Sequence, residues 1–194
     1  MKTKIKAIQR SLGVEADGVV GPVTVAAIAE ALGVSEVAPS WPTQEEVRGG
    51  WSMFGQAGDE GNLVSIVPPY PFYYEGRAVR TIRVHRLVAD AVQEALEEVL
   101  RVYGVQRIRE LRLDQYGGCY NFRKTASGAS LSMHAWGIAL DFDPDNNTYS
   151  LHAPAARMSG KEYEPWWEAW ERVGAVSLGR ERDYDWMHVQ FARL

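Results

Sequence analysis

The chain has one cysteine in 194 residues, so it can form neither an internal disulfide nor a cysteine-rich metal cluster. Cys119 reads as a reduced thiol, buried or half-buried. Long apolar runs are missing too. No stretch approaches the roughly 20 residues a membrane-spanning helix needs, so stable membrane insertion is not expected. A basic excess is also absent. Lys and Arg number 21 against 25 Asp and Glu, for a formal net charge of −4, which argues against a nucleic-acid binder and its basic stripe. The opening Met1-Lys2-Thr3-Lys4-Ile5-Lys6 is basic but leads into the polar Gln9-Arg10-Ser11. Without an apolar h-region no secretory signal is visible, and accumulation in the cytoplasm is expected.

A hydrophobic fraction of 46% and a charged fraction of 24% are those of an ordinary globular protein. The length suits one full core plus a small accessory module. Ile5, Ile8 and Leu12 share one face of a helix over 4–12, and Val25, Ile28 and Leu32 share another over 22–32, with Pro22 at a plausible first helical position. Between them, Gly13 to Gly21 has the Asp-Gly chemistry of a tight connection. The segment Val37-Ala38-Pro39-Ser40-Trp41-Pro42 has the punctuation of a linker. The expected division is a helical module over 1–36, a linker over 37–48 and a main domain over 49–194.

In the main domain, residues 49–79 read as irregular structure or short strands. Val84 to Tyr103 carries apolar residues three and four apart and predicts one long amphipathic helix ended by Gly104. Residues 107–113 read as a strand and Pro165–Val173 as a helix. In Gly137–Asp143, Ile138, Leu140 and Phe142 point one way while Ala139, Asp141 and Asp143 point the other. In Trp186–Phe191 the same split sets His188 and Gln190 against Met187, Val189 and Phe191. The predicted fold class is α+β, a small antiparallel sheet flanked by helices and carrying a single zinc site, preceded by the small helical module.

Chemistry concentrates in two segments. Ser132-Met133-His134-Ala135-Trp136-Gly137-Ile138-Ala139-Leu140-Asp141 couples an imidazole to a carboxylate across a glycine. Asp185-Trp186-Met187-His188 supplies a second imidazole with an acid three residues before it. Two nitrogen ligands, one oxygen ligand and a spare carboxylate are the inventory of a catalytic zinc site with a position open for water. Asp143 shares the strand face of Asp141, and spacing alone does not separate them as ligands. Glu181 and Asp183 fit a solvated acidic turn. His85, in the polar lead-in to the long helix, and His152, in a loop, read as structural.

The pattern Ser132-x-His134-x-x-Gly137-x-Ala139-x-Asp141 followed by Asp185-x-x-His188 resembles the zinc peptidases that include VanY-type D-alanyl-D-alanine peptidases and phage L-alanyl-D-glutamate endopeptidases. Gly117-Gly118-Cys119-Tyr120-Asn121-Phe122-Arg123, Asp143-Pro144-Asp145-Asn146-Asn147 and Ser177-Leu178-Gly179-Arg180 look closer to the phage lysins. The resemblance spans roughly residues 50–194. It implies that His134, Asp141 and His188 hold Zn²⁺, favouring Asp141 over Asp143. It also implies that Asp185 is the general base, that Arg123 engages substrate and that Ser132 is a supporting hydroxyl or substrate contact.

The N-terminal residues Gln9, Leu12, Gly13, Asp17, Gly18, Gly21, Pro22 and Thr24 resemble a peptidoglycan-binding module. The likeness stops near Val34, where such modules have a third helix. Together the two resemblances imply a monomeric endolysin whose substrate is bacterial peptidoglycan. It would cut the L-alanyl-D-glutamate bond of the stem peptide and be held in the host cytoplasm until a holin releases it. The alternatives are a D-alanyl-D-alanine carboxypeptidase or dipeptidase, and a non-catalytic wall-binding protein with a structural zinc.

Overall fold

The computed structural model describes residues 2–14, 16, 18, 22–33 and 41–194. The chain divides into two compact units, Met1–Ala38 and Pro39–Leu194.

In the smaller unit, α1 (Lys2–Ser11) and α2 (Pro22–Ala31) form where the apolar spacing predicts helices. Parts of the expected connection (15, 17, 19–21), and the end of the module near Val34, lie outside the described residues. The group that ties this unit together is polar. Gln9 is buried; its Oε1 accepts the Gly18 N–H at 2.8 Å and its Nε2 donates to Thr24 Oγ1 at 3.0 Å. Three of the module-like residues therefore meet at one side chain, while Ile8 and Leu32 remain exposed.

The larger unit is α+β. Its strands are β1 (Leu63–Ile66), β2 (Phe72–Tyr74), β3 (Arg77–Val79), β4 (Ile82–His85), β5 (Tyr116–Gly118), β6 (Ala139–Phe142), β7 (Val176–Ser177) and β8 (His188–Gln190). Two antiparallel ribbons, β1–β4 and β2–β3, accompany an antiparallel four-stranded sheet of order β5-β6-β8-β7. Helix α4 (Ala89–Glu110) packs against α5 (Glu164–Arg172), burying Val92, Leu96 and Val99 with Trp166, Trp167 and Trp170. Phe142 joins sheet to helices, its ring 4.7 Å from that of Trp166. Among the described residues no helix is long and apolar enough to cross a membrane.

Three local readings are corrected. Val84 and His85 belong to β4, paired with Val64 and Leu63, and the helix starts only at Ala89. Their helical spacing was real, but a ladder to a strand some 20 residues upstream in sequence captures them. Gly104 does interrupt the helix, with φ +67°, yet helical backbone resumes to Glu110, so the whole of the strand expected over 107–113 is helix and turn. Ile108 and Leu111 bury their side chains at helical spacing. Residues 37–40 of the expected linker lie outside the described residues, whereas 41–48 are built into the larger unit. Trp41 stacks on Phe54, meets Phe191 edge-on and donates its indole N–H to the Val173 carbonyl. A short helix, α3 (Gln44–Arg48), follows behind a capping box. The Glu46 N–H donates to Thr43 Oγ1, and the Glu46 carboxylate accepts the Thr43 N–H.

Candidate metal centre

Strands β6 and β8 pair in a register that sets Asp141 directly opposite His188. Directly opposed residues project to the same face of a sheet, so the pairing brings His188 Nδ1 within 3.0 Å of Asp141 Oδ1. His134 arrives from the turn Met133–Trp136 that precedes β6. Ser132 caps this turn, its Oγ accepting the His134 N–H. Gly137 closes it at φ +70°, and a Cβ there would stand 2.6 Å from a Leu63 methyl. Glycine meets both demands, the left-handed backbone and the close approach. His134 Nε2 then lies 3.2 Å from Asp141 Oδ2 and 3.2 Å from His188 Nδ1. All three side chains are buried, and their ligand atoms fall within 4.8 Å of one another, a group that could hold a metal ion.

The outer nitrogens of the two rings decide what the inner ones can do. His134 Nδ1 is 2.6 Å from the Cys119 carbonyl, which only accepts, so Nδ1 carries the proton and donates. Gln190 donates its Nε2 to the Ala192 carbonyl, which turns its Oε1 toward His188 Nε2 at 3.2 Å, and that nitrogen must donate as well. The inner nitrogens, His134 Nε2 and His188 Nδ1, are left as lone pairs facing a carboxylate. Two lone pairs at 3.2 Å with no proton between them repel, and a cation among them removes the conflict. The donor set fits a metal. With no cation in place a proton on an inner nitrogen serves instead: burial opposes ionisation of Asp141, but imidazoles protonated toward it outweigh burial and hold the carboxyl far below the usual range. Burial likewise lowers the pKa of His188, yet Asp141 carries it above the ordinary value.

Asp185 sits beside this cluster, close enough that His188, Asp141, His134 and Arg123 all act on its charge. Its backbone is left-handed, with φ +55°; its N–H donates to the Tyr149 carbonyl and its own carbonyl accepts the His188 N–H. The side chain is buried, and Oδ1 has no hydrogen-bond partner. Burial, reinforced by Asp141, raises its pKa despite the imidazoles and Arg123.

Arg123 is exposed and lines, with His134 and Asp141, a cavity of roughly 380 Å³. Its carbonyl accepts the Ser132 N–H. Residues 125–191 match the family model for D-alanyl-D-alanine carboxypeptidase. The matched stretch is about a third of the chain and includes Ser132, His134, Asp141, Asp185 and His188, but not Arg123. Over that stretch the chain is similar to this carboxypeptidase family. No curated protein and no solved structure matches the chain.

Other candidates separate from the cluster. Asp143 does not share the face of Asp141. The strand stops at Phe142, and Asp143 turns at φ +45° to pair with Arg112 at 2.7 Å and to accept from Asn146 and Asn147. Asp183 is more than a solvated acid: it ends α6 (Leu178–Arg182) and accepts the Ala153 N–H and the Trp186 indole N–H. His152 hydrogen-bonds to its carbonyl. His85 is buried in β4 and accepts the Leu87 N–H. Cys119 is buried, and burial pushes its thiol pKa up, which removes it as a nucleophile. The residue that the motifs did not single out is Gln190. Its place on the His188 face was readable from alternation, but its partner Ala192 lies past the strand end.

Proposed function

We propose that this chain is a zinc-dependent peptidoglycan peptidase that hydrolyses the stem peptide, with the L-alanyl-D-glutamate bond as its target. The observation that carries the reading is the group of three converging donors with a partnerless, buried carboxylate beside them. A purely structural ion has no use for Asp185. The phage-lysin neighbourhood around Arg123, Asp143 and Ser177 supports the choice of bond, and with it the lysin role and holin-dependent release.

His134, Asp141 and His188 would hold the ion, which when bound supplies Lewis-acid activation of water and of the scissile carbonyl. Asp185 accepts the proton given up by the attacking water and later delivers it to the departing amine nitrogen. Its raised pKa suits a group that must hold a proton between two steps. Arg123 donates hydrogen bonds to the carbonyl oxygen as negative charge grows there. Ser132 holds the turn that presents His134 and attacks nothing.

A D-alanyl-D-alanine carboxypeptidase is the second reading, favoured by the description of the matching family. Mass spectrometry of fragments released from purified peptidoglycan separates the two. A new N-terminal D-glutamyl end is expected for the first and free D-alanine for the second. Release of neither by the zinc-loaded protein would overturn both.

A further inference from the structure

The cavity beside the metal cluster has a second cation, contributed by a different element from Arg123. Arg83, on β4, lines it together with Tyr116 and Tyr120. Its guanidinium lies over the Tyr120 ring, 5.6 Å from the centroid, and Nη2 pairs with Glu60 at 2.8 Å. These two contacts hold the group in place while engaging only one of its nitrogens, so the remaining N–H donors are free to bind a ligand. Among the described residues Asp141 is the sole acid in the cavity lining, and the two imidazoles already face its carboxylate. A peptide entering this cleft therefore meets two arginines and no uncommitted carboxylate of the lining.

We propose that Arg83 is a specificity-determining residue that receives a free carboxylate of the peptide substrate, away from the scissile bond, and so distinguishes acidic stem peptides from their amidated forms. This rests on the peptidase reading and adds the substrate's charge to it. A planar guanidinium fork matches a carboxylate in a two-point contact that a carboxamide, with one acceptor oxygen, reproduces poorly. Glu60 acts as the resting partner, keeping the fork extended at the rim at little cost because both side chains are about half exposed.

The test uses two synthetic stem peptides that differ only in one carboxylate replaced by carboxamide, each acidic position being tried in turn. Binding is measured by calorimetry to the zinc-loaded Asp185→Asn protein, so that the peptides persist, and cleavage is measured with the unaltered enzyme. At one position the acid form is expected to bind roughly 10- to 100-fold more tightly, the range of a charge-assisted contact. Arg83→Met should bring that ratio to about one, Arg83→Lys should leave an intermediate ratio, and Glu60→Gln should preserve it. Equal binding of acid and amide at every position, or a ratio that survives Arg83→Met, would overturn the proposal. Cleavage of both forms by the unaltered enzyme in that case would leave the peptidase reading standing, whereas intact peptides and sacculi would count against that reading instead.

Discussion

Gly117 lies flat against Asp141: a Cβ built on Gly117 would stand 2.8 Å from Asp141 Cβ and 3.2 Å from its carbonyl carbon and oxygen. The contact is between neighbouring strands, β5 and β6, where the register shifts between Tyr116 and Gly118. Even one methyl must therefore push apart the strands that aim the carboxylate.

Gly117→Ala is expected to cost about 1–3 kcal/mol of stability, the range for inserting a methylene into a packed site. Because the displaced group is Asp141, zinc affinity should fall with it. Thermal unfolding and zinc titration check the pair of effects. A variant that lost stability but kept full zinc affinity would show that β5 yields and β6 does not.

Gln190 makes a narrower prediction. Its Oε1 accepts from His188 Nε2 and thereby leaves Nδ1 free to bind an ion. Removing that acceptor by Gln190→Leu should weaken zinc binding about 10–100-fold, the usual scale for a partner of a metal-bound histidine. Gln190→Glu keeps an acceptor for His188 Nε2 but loses the donor to the Ala192 carbonyl, so it should retain more of the affinity than Gln190→Leu and less than the unaltered chain. Nitrogen chemical shifts of His188 in the zinc-free protein report the tautomer directly. An unchanged Nε2–H in Gln190→Leu would remove the residue from this role.

The residues that meet at the centre were legible because strand alternation is a local signal. His188 and Asp141 each sit on the face opposite apolar neighbours, and the ladder between β6 and β8 needs only the right register to join them. His134 was legible through its spacing to Asp141. Long-range pairing and termination were not. Val84 satisfies a helical repeat and a strand equally well, and only β1 decides between them. Asp143 continues the period of Asp141 in sequence, but the strand ends one residue earlier and Arg112 draws it away. Trp41 and Pro42 look like linker punctuation, yet the Trp41 indole is buried among Phe54 and Phe191 from opposite ends of the larger unit. The Thr43–Glu46 capping box has the Thr-x-x-Glu spacing of a helix start, but it lies inside the segment read as linker.

Asp141 and Asp143 can be told apart by what each substitution breaks. Asp141→Asn should abolish zinc binding, and with it the stabilisation that zinc gives, about 2.7 kcal/mol at 100-fold above the dissociation constant. Asp143→Asn should leave zinc stoichiometry intact. It weakens the pairing with Arg112 and the acceptor shared by Asn146 and Asn147, and about 1–3 kcal/mol of stability should go with it. Calorimetric unfolding with and without zinc measures both. Loss of zinc binding in Asp143→Asn with Asp141 intact would reverse the assignment.

Asp185 is the prediction on which the catalytic reading turns. Its partnerless oxygen is buried beside the cluster, and it contributes no atom to the three-residue group. Asp185→Asn preserves shape and burial but cannot accept a proton. Zinc content and stability should stay near those of the unaltered chain, or rise, because burying a charged carboxylate is itself costly. Turnover of the stem peptide should fall by about 100- to 10,000-fold, the contribution of a positioned general base. Retained turnover in a zinc-replete Asp185→Asn protein would mean that the proton leaves by another route. Loss of zinc in the same variant would instead make Asp185 part of the metal-holding group.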